Sequence, residues 1–328
     1  MKILILGGAG MVGRKLAERL ARDGRLGNSE ISALTLYDVV PPTKPAGAGF
    51  PVETLTGDLP AAGEAEKLVA GKPDVIFHLA AIVSGEAEQE FEKGYRINLA
   101  GTMSLLEAIR RAYDGAPKKP RFVFTSSIAV FGAPFPEKIP DDFFLTPLTS
   151  YGTQKAIGEL LLADYTRKGM LDGVGIRLPT ICVRPGKPNK AASGFFSNII
   201  REPLAGQEAV LPVSDDVMHW HASPRAAVGF LLHAATIDGV RLGARRNLSL
   251  PGLAVTVGGQ IEALRKVAGE KVVARIRRVP DPFVQGIVAG WPRNFDPRRA
   301  IELGFKGDAS FEDIIRVHIE DELDGKIA

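Results

Sequence analysis

At 328 residues and 35.1 kDa the chain exceeds one ordinary domain of roughly 100 to 200 residues, which predicts a large α/β domain or a main domain with a smaller lobe. With 45% hydrophobic and 24% charged residues it has ample material for a buried core, which excludes a disulfide-stapled miniprotein and a disordered chain. The formal charge is +3 with basic residues scattered among acids, so no nucleic-acid footprint is expected, while mild basicity suits an anionic small molecule.

Cys182 is the single cysteine, which removes intramolecular disulfides and multi-cysteine metal sites and fits a reducing compartment. The apolar run Ile3 to Leu6 is too short for a signal-peptide core, and no stretch approaches the roughly 20 apolar residues of a membrane span. A cytoplasmic protein with no membrane association is expected.

In chain order, Lys2 to Leu6 reads as a strand, Gly7-Gly8-Ala9-Gly10 as a turn, and Val12, Leu16 and Leu20 as one face of a helix that Gly24 caps. Further strands are predicted at Leu34 to Tyr37, Val75 to Phe77, Phe122 to Phe124 and Val174 to Leu178, with helices near 62–70, 98–112 and 151–168. Strands alternating with helices predict a parallel sheet covered on both faces. Past residue 180 the rhythm breaks into a Pro, Gly and Lys-rich loop, Arg184 to Gly194, and a smaller mixed lobe is placed there. A helix from Ser223 to Ala235 and a strand at Asn247 to Leu250 are expected to rejoin the main sheet. The predicted division is therefore discontinuous: 1–177 plus about 217–250, and about 178–216 plus 251–328.

Gly7, Gly10 and Gly13 recur at G-x-x-G-x-x-G between a predicted strand and a predicted helix, the context of a dinucleotide-binding turn, although a plain tight turn uses the same residues. Glycine lets the backbone approach a pyrophosphate while free N–H groups and the helix dipole stabilise its charge. Asp38 closes the second strand, where a carboxylate can accept hydrogen bonds from an adenosine ribose and repel a 2′-phosphate, favouring NAD over NADP. Asp58 is positioned to hydrogen-bond the adenine amino group.

Tyr151 and Lys155 stand four residues apart on one predicted helical face, where the ammonium can favour phenolate and create a general base. Ser126 and Ser127 follow the strand 122–124, at the end of the sheet where α/β proteins build their sites. His219 and His221 alternate and would share a face of an extended segment, but no third ligand lies nearby, so no metal is expected and structural roles are favoured, with His221 also able to face the substrate. His78, after a buried strand, and Cys182 read as core residues.

Together GGAGMVG at 7–13, Asp38, GDL at 57–59, HLAA at 78–81, Asn98, FTSSIAVFG at 124–132, YGTQK at 151–155, IRLP at 176–179 and FDPRRAIELGF at 295–305 resemble the extended short-chain dehydrogenase/reductase family, also called the NAD-dependent epimerase/dehydratase family. The resemblance spans nearly the whole chain. It implies a Rossmann-type doubly wound α/β fold with a smaller substrate lobe and NAD as cofactor. It also implies that Ser127 holds the substrate oxygen, Tyr151 exchanges the hydroxyl proton, and Lys155 binds the nicotinamide ribose while lowering the Tyr151 pKa. Met11, Val12, Leu59, Leu79, Ala80, Asn98, Pro179 and Ile181 join the cofactor site by the same analogy. The family serine opens S-x-x-V-F-G, which selects Ser127 and leaves Ser126 a packing or capping role.

Within the family, 178–196 and 219–230 look most like the branch that oxidises C2 of a four-carbon sugar acid, D-erythronate, to the 2-keto acid. Thr180 stands where the family's sugar-nucleotide enzymes usually carry an Asn that contacts the diphosphate, which speaks against such a substrate. A carboxylate substrate needs a cation or fixed donors. Arg184, Lys187 and Asn189 are candidates, with Ser84 opposite, although each also suits a solvated loop. The resemblance further implies a homodimer through helices near 98–112 and 151–168. Two alternatives stay open: a nucleotide-sugar epimerase or dehydratase with retained NAD, and a non-catalytic NAD-binding regulator, which would have no need of a base.

Overall fold

The computed structural model describes residues 1–186 and 193–328. Seven parallel strands form the central sheet: β1 (Lys2–Leu6), β2 (Ala33–Asp38), β3 (Val52–Thr56), β4 (Val75–His78), β5 (Arg121–Ser127), β6 (Asp172–Leu178) and β7 (Asn247–Ser249). Their order is β7-β6-β5-β4-β1-β2-β3, with every neighbouring pair parallel. The order reverses between β1 and β4, and the carboxyl ends of the strands there open a crevice, the place where doubly wound sheets bind ligands.

Near-continuous apolar runs form these strands because both faces are covered. Side chains alternate with period two: Ile3, Ile5, Leu34, Leu36, Val75 and Phe77 enter one apolar cluster, while Leu4, Leu6, Ile76, Phe122 and Phe124 enter another. The helix Met11–Asp23 buries Leu16, Ala17 and Leu20 on the first of these faces. Burial of each leucine side chain stabilises by about 1.5–3 kcal/mol. Gly24, left-handed at φ 67°, donates its N–H to the Leu20 carbonyl and ends that helix as its sequence position implied.

Two segments differ from expectation. β3 escapes sequence reading because it is an edge strand of partly exposed residues without a clear apolar face. The helix expected from 98 starts earlier, as a wider π-helical turn Tyr95–Ala100 running into Gly101–Ala112, and glycines at 94 and 101 hide that start. The expected helix at 151–168 is Ser150–Arg167, with the Thr149 hydroxyl accepting from the Gly152 N–H as its cap.

A separate apolar cluster gathers Cys182, Val183, Phe196, Ile199, Ile200 and Leu204 with Val257, Leu264, Ile314 and Ile315. Beside it, Met218–Ala222 pairs parallel with Thr180–Ile181 and antiparallel with Leu253–Thr256. This short mixed sheet sets residues 180–184 and the two alternating histidines beyond the carboxyl end of β6.

Candidate active site

The glycine turn is packed backbone on backbone. Gly7 has φ 88°, and a Cβ added there would lie 2.8 Å from the Ala80 nitrogen; one at Gly13 would lie 2.1 Å from the Gly7 carbonyl oxygen. Gly10 caps the helix Met11–Asp23 without a side-chain hydrogen bond, and its first turn carries no acid, so the N–H groups around Met11, Val12 and Gly13 remain open to an anion. Leu79 and Ala80, after β4, form the wall behind Gly7.

Asp38 ends β2 as expected and does local work as well. Its Oδ2 accepts from the Ala9 N–H at 2.9 Å and its Oδ1 from the Val39 N–H at 2.7 Å, tying the turn to the strand end. Asp58 pairs with the Arg96 guanidinium at 2.5 Å. Leu59 is buried beside it. Asn98, also buried, uses both ends of its amide on the protein: Oδ1 accepts from the Ile82 N–H at 2.9 Å, and Nδ2 donates to the Gln154 Oε1 at 2.7 Å. It therefore holds the segment after Ala80 in place.

Ser127 is the last residue of β5, and its Oγ accepts from the Ala129 N–H at 3.1 Å. Its hydroxyl lies close enough to the Tyr151 phenol to favour the phenolate. Ser126 points elsewhere, donating to the buried Glu159 carboxylate at 2.5 Å. Lys155 is buried, with Nζ 5.7 Å from the Tyr151 ring centroid and donating at 2.8 Å to the Thr125 carbonyl. Serine, tyrosine and lysine thus share one site.

Burial pushes the Tyr151 phenol up to about 12, against the downward pull of the Ser127 hydroxyl and the Arg184 guanidinium. Burial lowers Lys155 to about 8. Among the described residues no carboxylate lies within ion-pair distance of either Lys155 or Arg184. Arg184 instead donates to the Ile181 carbonyl at 3.1 Å and the Ser193 hydroxyl at 2.6 Å, both neutral acceptors. Its pKa is lowered, chiefly by burial. Pro179 links β6 to Thr180–Ile181, and Ser84 opens the partly exposed helix Ser84–Gln89. Lys187 and Asn189 lie outside the described residues.

The histidines are core residues. His78 is buried with Nε2 2.8 Å from the Thr102 hydroxyl, and burial drives its pKa down to about 3. His219 and His221 do share one strand face, with ring centroids 5.4 Å apart, and burial lowers both pKa values. Burial also raises the Cys182 thiol to about 12, which leaves it inert. Among the described residues no cluster of three metal-ligating side chains occurs.

Sequence reading missed the buried ion pair beneath the site, in which Arg177 grips Glu159 through Nε at 2.9 Å and Nη2 at 2.7 Å. An arginine inside an otherwise apolar strand was the available signal. It also missed the partners of Asn98 and Thr180, since those contacts span 56 and 39 residues.

The pattern of the NAD dependent epimerase/dehydratase family matches residues 3–221. A D-erythronate dehydrogenase from Cupriavidus necator is 47% identical over 98% of each chain. One from Haemophilus influenzae is 43% identical over 98% of this chain and 99% of its own. A crystal structure from Agrobacterium tumefaciens, described as a nucleoside-diphosphate-sugar epimerase, is 65% identical, covers 100% of this chain and 96% of its own, and superposes with a TM-score of 0.98. Because the matched pattern spans residues 3–221 and takes in the glycine turn, Ser127, Tyr151 and Lys155, the chain belongs to the NAD dependent epimerase/dehydratase family.

Proposed function

We propose that the chain oxidises the C2 hydroxyl of D-erythronate to give 2-dehydro-D-erythronate. It is an NAD-dependent oxidoreductase acting on CH–OH groups, like its full-length D-erythronate dehydrogenase relatives. One observation carries the choice of substrate: Arg184 is a half-buried cation beside Tyr151 whose hydrogen bonds among the described residues go to neutral acceptors. A partly buried charge without an ionic partner is costly, and a substrate carboxylate supplies that partner.

The glycine turn, Asp38 and Lys155 suit a dinucleotide, since the turn admits no Cβ and Lys155 is a buried donor held by a single protein acceptor. Asp38 favours NAD over NADP by charge, and Asp58, Leu59, Leu79, Ala80, Pro179 and Ile181 complete the proposed cradle. Bound NAD supplies the hydride acceptor. Tyr151 as phenolate takes the C2 hydroxyl proton, Ser127 holds the same oxygen, and Arg184 fixes the carboxylate so that C2 meets the base. Because burial holds the phenol near 12, the Tyr151 phenolate depends on the cations that surround it once substrate and cofactor are in place. Ser84, at the start of the helix Ser84–Gln89, is proposed as a further substrate contact.

Tyr151→Phe tests the base. NAD binding should persist while turnover falls by about 10²- to 10⁴-fold, and near-normal turnover rules the mechanism out. The description attached to the Agrobacterium structure favours a second reading, epimerisation of a nucleotide sugar with NAD retained. Net NADH formed from D-erythronate supports the dehydrogenase; isomerised nucleotide sugar without net NADH supports the epimerase.

We also infer a homodimer through Gly101–Ala112 and Ser150–Arg167, whose Met103 and Leu160 are exposed apolar residues. The proposed division into 1–177 plus 217–250 and 178–216 plus 251–328 rests on the separate C-terminal apolar cluster. A cytoplasmic location follows from the lone buried Cys182, and among the described residues no helix is long and apolar enough to cross a membrane.

A further inference from the structure

The helix Ser150–Arg167 turns one face toward the carboxyl end of β5, and Tyr151, Lys155 and Glu159 recur on it at intervals of four, one above the next. Two of them are tied to the residues that lead to Ser127. Lys155 donates to the Thr125 carbonyl at 2.8 Å, and the Glu159 Oε1 accepts from the Ser126 hydroxyl at 2.5 Å. The helix lies tight on the strand: a Cβ at Gly152 would be 2.2 Å from the Ala129 carbonyl oxygen, and one at Gly158 would be 2.6 Å from the Phe124 ring. Glycine permits that approach but does not aim the helix. In the proposed reaction Lys155 is committed to the cofactor, so Glu159 is the tie with no other duty.

Glu159 also reaches the next strand. Ser126 and Arg177 are register partners across β5 and β6, and Arg177 donates to Glu159 from Nε at 2.9 Å and from Nη2 at 2.7 Å. Arg177 is itself held, since its Nη1 donates to the Asp141 carbonyl at 2.8 Å and its guanidinium lies 4.8 Å from the Phe131 ring centroid. One carboxylate therefore joins the helix to two strands, and Ser126, Glu159 and Arg177 are all buried. Apolar side chains of similar size would hold these elements together about as well. What the pair adds is direction, because two parallel N–H donors and a hydroxyl meet a carboxylate in one orientation.

We propose that Glu159 is a positioning residue for proton transfer: by bridging Ser126 and Arg177 it fixes the rotation of the helix that carries Tyr151 against the strand that ends in Ser127. This rests on the sugar-acid dehydrogenase reading above and adds what keeps its base and its serine on one substrate oxygen. Side chains end about 5–6 Å from a helix axis, so a rotation of about 10° carries the phenol about 1 Å. A displacement of about 1 Å can cost about 10²-fold in rate.

The test pairs Glu159→Leu/Arg177→Met, which replaces both charges and leaves neither alone, with Ser126→Ala, which cuts only the tie to β5. Active sites are counted by NAD binding, and kcat and the pH profile of kcat/KM are followed on D-erythronate. The double variant should bind NAD as the wild type does, lose about 10²-fold in kcat per site, and ionise its base at least about one pH unit higher, because a phenolate drawn away from Ser127 loses a favourable neighbour. Ser126→Ala should lose about 3- to 10-fold, the worth of one hydrogen bond, with its profile moved the same way. A merely structural pair changes the melting temperature and the number of sites but neither kcat per site nor the pH profile, and that result overturns the assignment. Should the double variant fail to fold, Ser126→Ala decides alone, and wild-type kcat and profile there overturn it. Wild-type enzyme that forms no NADH from D-erythronate overturns the dehydrogenase reading and the assignment with it.

Discussion

Lys155 should destabilise the ligand-free fold, and the effect should depend on pH in a defined direction. Its ammonium is 3% exposed and makes its hydrogen bond to the neutral Thr125 carbonyl, so burial lowers its pKa from the ordinary 10.5 to about 8. Below about pH 8 the lysine is charged in both folded and unfolded chains, and the folded state bears the full desolvation penalty. A shift of that size corresponds to about 3 kcal/mol. Between about pH 8 and 10.5 the unfolded chain holds more protons than the folded one, so stability rises with pH and the penalty fades. Lys155→Met removes the charge and keeps the length. It also leaves the Thr125 carbonyl one donor short, which costs about 1–3 kcal/mol at every pH. Near about pH 6.5 the NAD-free variant should therefore equal or exceed the wild type by up to about 2 kcal/mol, and this difference should move against the variant by about 2 kcal/mol on going to about pH 9.5. Denaturant unfolding of both proteins at the two pH values measures it. A pH-independent difference, or one that moves in the variant's favour, refutes the claim that Lys155 is buried as an uncompensated cation.

Arg184→Met should raise KM for D-erythronate by about 10- to 100-fold, the worth of a charge-assisted hydrogen bond, with kcat changed far less; steady-state kinetics on D-erythronate decide it. Ser193→Asp places a carboxylate where Arg184 now finds a hydroxyl at 2.6 Å, and should raise thermal stability while weakening D-erythronate binding, as read by a melting curve beside a KM measurement. Gly13→Ala sets a methyl group 2.1 Å from the Gly7 carbonyl oxygen, so the turn must open; NAD affinity measured by fluorescence titration should fall at least about 10-fold.

What the sequence made legible follows from the range of the interactions involved. β1, its glycine turn and the helix Met11–Asp23 are written in period-two and period-3.6 patterns a few residues long, and each stands where those patterns placed it. The fold class followed from repeating that unit. β3 was missed because an edge strand need bury only part of its surface, which blurs the alternation. Within the site, the spacing of Tyr151 and Lys155 on one helix was local and readable, whereas the acceptor that holds the Lys155 ammonium is the carbonyl of Thr125, a backbone atom that leaves no signature in the sequence. The partner of Thr180 was hidden in the same way, since it is a histidine 39 residues away.

Two arginines near the site, one buried and one half-buried, are held in opposite ways. Arg177 is gripped by Glu159 at 2.7 Å, with Asp141 at 4.0 Å, and these carboxylates outweigh burial so that its pKa is raised. Arg184 is half-buried, its partners among the described residues are a carbonyl and a hydroxyl, and desolvation wins so that its pKa is lowered. Neutral acceptors aim a guanidinium without cancelling it, whereas a carboxylate does both. The first arrangement is what structural rigidity requires, because a buried charge left alone costs several kcal/mol. The second keeps that deficit in place until an anion arrives, so part of the free energy of carboxylate binding comes from relieving a cost already present in the free protein. On the proposed assignment of Arg184 to the substrate carboxylate, a neutral sugar would leave Arg184 as costly as before, so the cleft should select an acid over its aldehyde or alcohol counterpart.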